Sequence, residues 1–340
     1  MATGRVPAID MHAHTIMPEI EALVRDKQGW REDHEQRASF ASAASAEHNR
    51  HLNETLYRPR FASLDNRLAL MDQEGVDIQA VSTAPTANYW YFAGRDLAPQ
   101  VVEINNRTIA EMCQKKPDRL IGLGIVSLQH PDLAVTQLEH AMGDLKLRGI
   151  ITSTLVGGKD LADPSFEPVW AKAEELGAVI FIHPAGCAID GRLTSYYLSN
   201  VIGNPLETTI ALTHLIFSGT LDRHPRLKIV AAHGGGYLPF YTHRFDHGWK
   251  VRPEAHTCRL APSEYLRRIW FDSLVYQPDL LANLIKRVGA SQVVLGTDYP
   301  FDMGVENPRE CLAAVPGLSN QEIDAITGGN AAGLLGLEIR

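Results

Sequence analysis

Eight short apolar runs, separated by longer stretches with helical periodicity, set the rhythm of this 340-residue chain. They are Pro7–His12, Asp77–Ser82, Leu120–Val126, Gly149–Thr152, Ala178–His183, Lys228–His233, Ile269–Asp272 and Gln292–Asp298. Each is too short for a helix and nearly continuously apolar, as parallel strands buried on both faces must be. The amphipathic segments between them include Asp65–Glu74, Val101–Lys115, Leu133–Leu145, Phe166–Leu176, Thr208–Leu221 and Pro278–Val288. Strands alternating with helices over the whole length predict a closed (β/α)8 barrel, with an open doubly wound sheet as the alternative. Such barrels take about 250 residues and grow by loop insertion, so the chain reads as one barrel domain over residues 1–340. Met17–Leu64 is too long for a loop and is predicted to form an inserted lobe or lid between the first two strands. A second stretch, Phe240–Leu266, is polar, carries several His and Arg residues, and also breaks the rhythm.

Bulk properties exclude several classes. The net charge of −8 comes with no basic stripe, which argues against a nucleic-acid partner. Cys113, Cys187, Cys258 and Cys311 form no CxxC pair, which argues against a structural zinc module or a disulfide framework. The segment MATGRVPAIDMHAH has no apolar core of a signal peptide, and no apolar run approaches the ~20 residues of a membrane helix. The expectation is a cytoplasmic protein acting on a small molecule, away from membranes.

Barrel enzymes draw their chemistry from the C-terminal ends of the strands, and ligand-type residues gather at those ends. His12 and His14 close the first run in DMHAH, and alternate residues of an extended chain share a face. His183 ends the fifth run in FIHP, His233 the sixth in AAHGGG, and Asp298 the eighth in GTDYPF. Taken singly, each has a plainer explanation: a packing histidine, a hydrogen-bonded strand end, a helix cap. Their coincidence at four strand ends points to one divalent ion. Imidazoles with a carboxylate suit Zn2+ first, with Mn2+, Fe2+ or Co2+ as alternatives. Asp272, ending the seventh run, reads as support for a ligand or as a cap. Tyr197, Trp90, Tyr91 and Phe301 are candidate pocket walls or rim packing. The Gly157–Gly158 and Gly234–Gly236 runs are turn signals, lacking phosphate-loop spacing.

Four segments carry a family resemblance: AIDMHAH, LALMDQEGVDIQAVSTAP, AAHGGGYLPFYTHRFDHGW and VVLGTDYPF. With them the chain resembles the 2-amino-3-carboxymuconate-6-semialdehyde decarboxylase family, the decarboxylase branch of the amidohydrolase superfamily. The resemblance implies that His12, His14, His183 and Asp298 bind one zinc ion and that His233 serves in acid–base catalysis. It implies a homodimer or higher oligomer in which Arg244, eleven residues beyond His233, binds substrate carboxylate in the neighbouring subunit. A second carboxylate-binding arginine falls at Arg58 or Arg60. Tyr197 takes the place of a pocket tryptophan. Binuclear members carry a Lys or Glu after the fourth strand, whereas here Ile150–Ser153 offers neither, which favours a single metal. The implied activity is non-oxidative decarboxylation of an aromatic or muconate-semialdehyde-type acid, with metal-bound water or substrate and with His233 or Asp298 moving the proton. A hydrolase or hydratase on the same scaffold is the alternative, since fold does not settle reaction.

Overall fold

The computed structural model describes residues 5–61, 63–85, 90–187 and 191–338. Eight parallel strands form its centre: β1 (Ile9–Thr15), β2 (Ile78–Thr83), β3 (Leu120–Gly122), β4 (Gly149–Thr152), β5 (Val179–Ile182), β6 (Lys228–Ala231), β7 (Ile269–Asp272) and β8 (Val293–Val294). β1 to β3 make one ladder and β4 to β8 another, each in sequence order. Two seams join the ladders. At one, Gly124 N–H donates to Gly149 O over 2.9 Å and Ile151 N–H to Gly124 O over 2.8 Å. At the other, Met11 N–H donates to Leu295 O, Asp298 N–H to His12 O and His14 N–H to Tyr299 O, each over 2.8 Å. The ring of eight expected from the apolar runs is therefore continuous.

Period-2 packing explains why the strands are apolar on both sides. On β5, Val179 and Phe181 join one core cluster while Ile180 and Ile182 join the other. Phe181 faces the axis, its ring 5.0 Å from that of His12. The outward residues pack in the same cluster as Leu212, Leu215, Leu281 and Leu284 of the surrounding helices. Two expectations change in detail. The run Leu120–Val126 is strand only to Gly122, and the last run continues past Val294 as irregular backbone bonded to β1. Phe240–Leu266 does not interrupt the alternation, because helix Leu238–Val251 fills nearly half of it and the short helix Pro262–Tyr265 follows. That helix buries only Leu238, Pro239 and Thr242, so its sequence reads as polar. None of the described helices is long and apolar enough to cross a membrane.

Between β1 and β2 the chain forms helices Pro18–Val24, Gln28–Ala38 and Ala43–Leu52, then a π-turn at Asn53–Tyr57 leading into Arg58–Phe61. This segment docks on the loop after β8: Tyr57 O–H donates to Asp302 Oδ1 over 2.6 Å, Arg60 to Pro300 O over 3.1 Å, and Tyr299 O–H to Arg60 O over 2.7 Å.

At the N-terminal end of the barrel, Asp77 fastens three pieces of chain. Its Oδ2 accepts from Ala8 N–H at 2.6 Å and from Arg309 at 2.7 Å, and Arg5 lies 3.2 Å away. Burial alone would raise this carboxyl, but those donors hold it below its ordinary value. Asp77→Asn is expected to destabilise the fold by about 1 kcal/mol after allowing for solvent screening, read from urea midpoints. Because the folded pKa is depressed, the difference between the two proteins is present at neutral pH and vanishes as pH falls through the folded pKa. Equal midpoints at neutral pH would contradict the assignment.

Candidate metal centre

The β1–β8 seam brings the ends of β1 and β8 together, and β5 and β6 deliver their histidines to the same point. The ring centroids of His12 and His14 lie 5.0 Å apart, those of His12 and His183 4.9 Å, and those of His183 and His233 4.8 Å. Asp298 Oδ1 sits 3.1 Å from His12 Nε2 and 3.2 Å from His14 Nε2. All five residues named from the sequence therefore converge. In one set, His12, His183, His233 and Asp298, every ligand atom lies within 4.8 Å of every other. This departs from the expected set, since His233 belongs to it and His14 stands beside it against Asp298.

Backbone geometry aims these groups. His233 (φ 57°) and Asp298 (φ 61°) adopt left-handed backbone, uncommon for residues with a Cβ. The turn after His233 can be made only by glycine. A Cβ on Gly235 would lie 2.5 Å from the Phe271 ring, and one on Gly236 2.0 Å from Pro205 O.

The far ring nitrogens are held by the protein. His12 Nδ1 pairs with Asp272 Oδ2 at 2.6 Å, His14 Nδ1 with Thr83 O at 3.1 Å, and His183 Nδ1 with Pro184 O at 2.7 Å. Each contact turns Nε2 towards the centre and fixes the tautomer that leaves its lone pair available. Asp272 also accepts from the N–H groups of His233 (3.0 Å) and Gly234 (2.7 Å), so it braces two of the converging residues at once.

Below the centre runs a polar network that the sequence reading did not foresee. Asp10 Oδ1 accepts from the N–H groups of His12 and Thr297, both at 3.0 Å, and Oδ2 from Thr297 O–H at 2.6 Å and Gln79 Nε2 at 3.1 Å. Gln79 Oε1 accepts from Arg67 at 2.8 Å, and the buried Arg67 guanidinium also donates to His14 O and stacks 4.5 Å over the Tyr299 ring. Asp10 had a signal, as the acid directly preceding HxH. Arg67 is one charged residue in an amphipathic helix, and nothing local marks it as buried.

Charge is distributed unevenly here. Burial would lower His12, but Asp298 and Asp272 outweigh it and push the imidazole up to about 10. Burial takes His14 down to about 4, and it lowers His183 and His233 with help from the neighbouring histidines. Burial would raise Asp298, yet His12 and His14 hold it well below the usual carboxylate range. Burial raises Asp10 to about 6. The buried atoms His12 Nε2, His14 Nε2, His233 Nδ1 and Asp298 Oδ1 have no hydrogen-bond partner of good geometry. Such atoms gathered at one centre are expensive to leave unsatisfied. A single divalent cation satisfies those it bonds, and nitrogen donors with one carboxylate oxygen fit it.

The remaining sequence candidates are scattered. Tyr197 (φ 62°) lines a cavity of about 610 Å³ with His48, Asn49, Asp302 and Met303. Phe301 packs 5.7 Å from the His14 ring. Arg244 is exposed on helix Leu238–Val251, and Arg58 is exposed on the lobe. Arg60 is committed to Pro300 O and to Glu306, 3.3 Å away. Trp90 is buried against Phe92 rather than at the centre, and Tyr91 O–H meets Thr152 Oγ1 at 3.2 Å. Asp302, Tyr57 and Tyr276 surround the mouth and were not foreseen.

Residues 9–337 match the amidohydrolase family. The chain belongs to that family. The amidohydrolase is 33% identical over 336 residues to the 2-amino-3-carboxymuconate-6-semialdehyde decarboxylase of Dictyostelium discoideum, covering 97% of this chain and 92% of that one. In structure it is similar to 5-carboxyvanillate decarboxylase from Sphingomonas paucimobilis, with a TM-score of 0.82, 26% identity, and coverage of 98% and 100%. The dihydroxybenzoic acid decarboxylase of Polaromonas sp. JS666, whose structure holds manganese and 2-nitroresorcinol, aligns with a TM-score of 0.77 at 21% identity over 97% of each chain. These relatives are decarboxylases, and the superfamily expected from the sequence motifs is the one found.

Two outcomes are expected of the centre. Adding Zn2+ or Mn2+ at about 100 times its Kd to metal-stripped amidohydrolase should raise stability by about 2.7 kcal/mol, seen as a higher melting temperature. An unchanged melting temperature would count against a metal site. Asp272→Asn removes the anionic partner of His12 Nδ1 and should weaken the ion about 10- to 100-fold, measured by competition with a chromogenic chelator. Unaltered affinity would show that the Asp272–His12 contact does not tune the site.

Proposed function

We propose that this amidohydrolase is a metal-dependent, non-oxidative carboxy-lyase for an aromatic or muconate-semialdehyde-type carboxylic acid. The observation that carries the reading is the convergence of His12, His14, His183, His233 and Asp298 on one point, with ligand atoms left unsatisfied, in a chain related over nearly its full length to decarboxylases.

In this reading His12, His14, His183 and Asp298 hold the ion and His233 is kept for proton transfer. What supports the division is bracing. Three of the four imidazoles have Nδ1 tied to the protein, as ligating histidines usually do, whereas the His233 ring has no hydrogen bond among the described residues. Zinc is the preferred ion for such a donor set, with manganese as its competitor. When bound, the ion supplies Lewis acidity to a substrate or water oxygen.

The chain's own groups do the rest. Loss of CO2 leaves a carbon that must be protonated. His233, whose pKa is lowered, is neutral near pH 7 and can take a proton from the entering substrate or water and return it to that carbon. Asp298 stays ionised beside His12 and His14, which suits it to hold positive charge and makes His233 the better proton carrier. Phe301 and Tyr197 wall the mouth on the side of His14 and the lobe. Residues 17–64 act as a lid fastened through Tyr57 and Arg60 to the loop after β8.

Arg244, exposed near Tyr241 on helix Leu238–Val251, would reach the partner's site in a homodimer. It would bind carboxylate through its planar fork of donors.

The test is CO2 release by metal-loaded protein from aminocarboxymuconate semialdehyde and a panel of hydroxybenzoates and carboxylated phenols. Release proportional to about one bound metal per chain is expected. Acid formation without CO2 would favour the hydrolase or hydratase reading instead. His233→Ala should keep the metal and the melting temperature while kcat falls about 10²- to 10⁴-fold. Near-normal kcat in that variant would remove His233 from the chemistry.

A further inference from the structure

The mouth of the barrel carries polar groups that the metal chemistry does not use. Its cavity of about 610 Å³ includes His48, Asn49, Tyr197, Asp302 and Met303 in its wall, and no lysine or arginine stands among the described wall residues. The Phe301 ring lies 5.7 Å from His14 on one side and 5.2 Å from Tyr57 on the other, and Tyr57 O–H donates to Asp302 Oδ1 at 2.6 Å. Asp302 is thus set two aromatic residues, Phe301 and Tyr57, beyond the metal centre.

Tyr197 faces the same space. Burial, with the charges of Asp302 and Asp298 adding, pushes its phenol up to about 12, so it stays protonated and available as a donor. Its hydroxyl has no hydrogen-bond partner among the described residues, whereas Tyr276 O–H is already given to Met303 O at 2.9 Å. Tyr197 and Tyr276 both sit at positive φ, 62° and 66°. Such backbone is costly for a bulky residue and tends to cluster where a side chain must be aimed.

One free phenolic donor and one anionic acceptor match a group that both accepts and donates. A hydroxyl does this. A methoxy group only accepts, and a second carboxylate would meet the charge of Asp302 with no lysine or arginine among the described wall residues to offset it. We infer that Asp302, together with Tyr197, selects a substrate carrying a hydroxyl on the side remote from the reacting carboxylate and rejects a second carboxylate there. The inference rests on the decarboxylase reading and narrows its substrate class to hydroxylated aromatic monocarboxylates.

The test compares three ring acids that differ only at the remote position: salicylate, 2,4-dihydroxybenzoate and 2-hydroxyterephthalate. Their binding to the metal-loaded full chain is measured by calorimetry, with CO2 release followed in parallel. Wild type should prefer the dihydroxy acid over salicylate by about 10-fold and bind the dicarboxylate most weakly. Asp302→Asn should lose most of that preference and accept the dicarboxylate several-fold better, and Tyr197→Phe should lose the hydroxyl preference without gaining the dicarboxylate. The same ranking in wild type and Asp302→Asn, a wild-type preference for the dicarboxylate, or no binding of any of the three overturns the inference. The expected ranking in binding, with no CO2 from any acid, supports this inference and counts against decarboxylation. CO2 release without a hydroxyl preference does the reverse.

Discussion

Asp298 donates its backbone N–H to the carbonyl of His12 over 2.8 Å, and the closure of the barrel and the arrangement of its centre both hang on that contact. The bond belongs to the seam between the first and last strands. It sets the carboxylate of one strand end beside the imidazoles of the other, at 3.1 and 3.2 Å. Asp10 sits directly beneath and binds the N–H groups of His12 and Thr297 with one oxygen, so one buried carboxylate fastens both sides of the seam. A change that opened the seam would separate the ligands.

Three buried carboxylates surround the axis, and their surroundings give them different work. Asp10 is satisfied by neutral donors and a distant Arg67, and burial raises it to about 6. Its value lies in shape and hydrogen bonding. Asp272 is held low by its contact with His12 and by backbone N–H groups, and it orients His12 while capping the turn that carries His233. Asp298 faces His12 and His14 and stays ionised, the one of the three placed to present charge to a ligand. Removing one partner of a buried ionic pair typically costs about 3–5 kcal/mol, so the imidazoles and carboxylates here are conditional on one another.

Much of this was legible in the sequence because it depends on local periodicity and on strand ends. The apolar runs gave the eight strands, and the residues closing four of them are those that converge. Legibility failed where long-range geometry decides. Arg67 is buried because β1 and the loop after β8 pass over it, not because of its neighbours in the chain. Helix Leu238–Val251 was obscured because it buries little, so its pattern is polar. The ranking of His14 and His233 around the centre depends on a left-handed turn through three glycines, and spacing cannot report the direction of that turn. The two lobe arginines looked equivalent until Arg60 proved to be engaged by Pro300 and Glu306.

The central claim is a division of labour: four residues hold an ion and His233 stays free of it. Anomalous diffraction from crystals loaded with one equivalent of zinc or manganese tests this directly. The account predicts a single peak at bonding distance from His12, His14, His183 and Asp298, with the His233 ring outside bonding distance and turned to the open side. A peak bonded to His233 and detached from His14 would contradict it, and with it the assignment of His233 as the proton carrier.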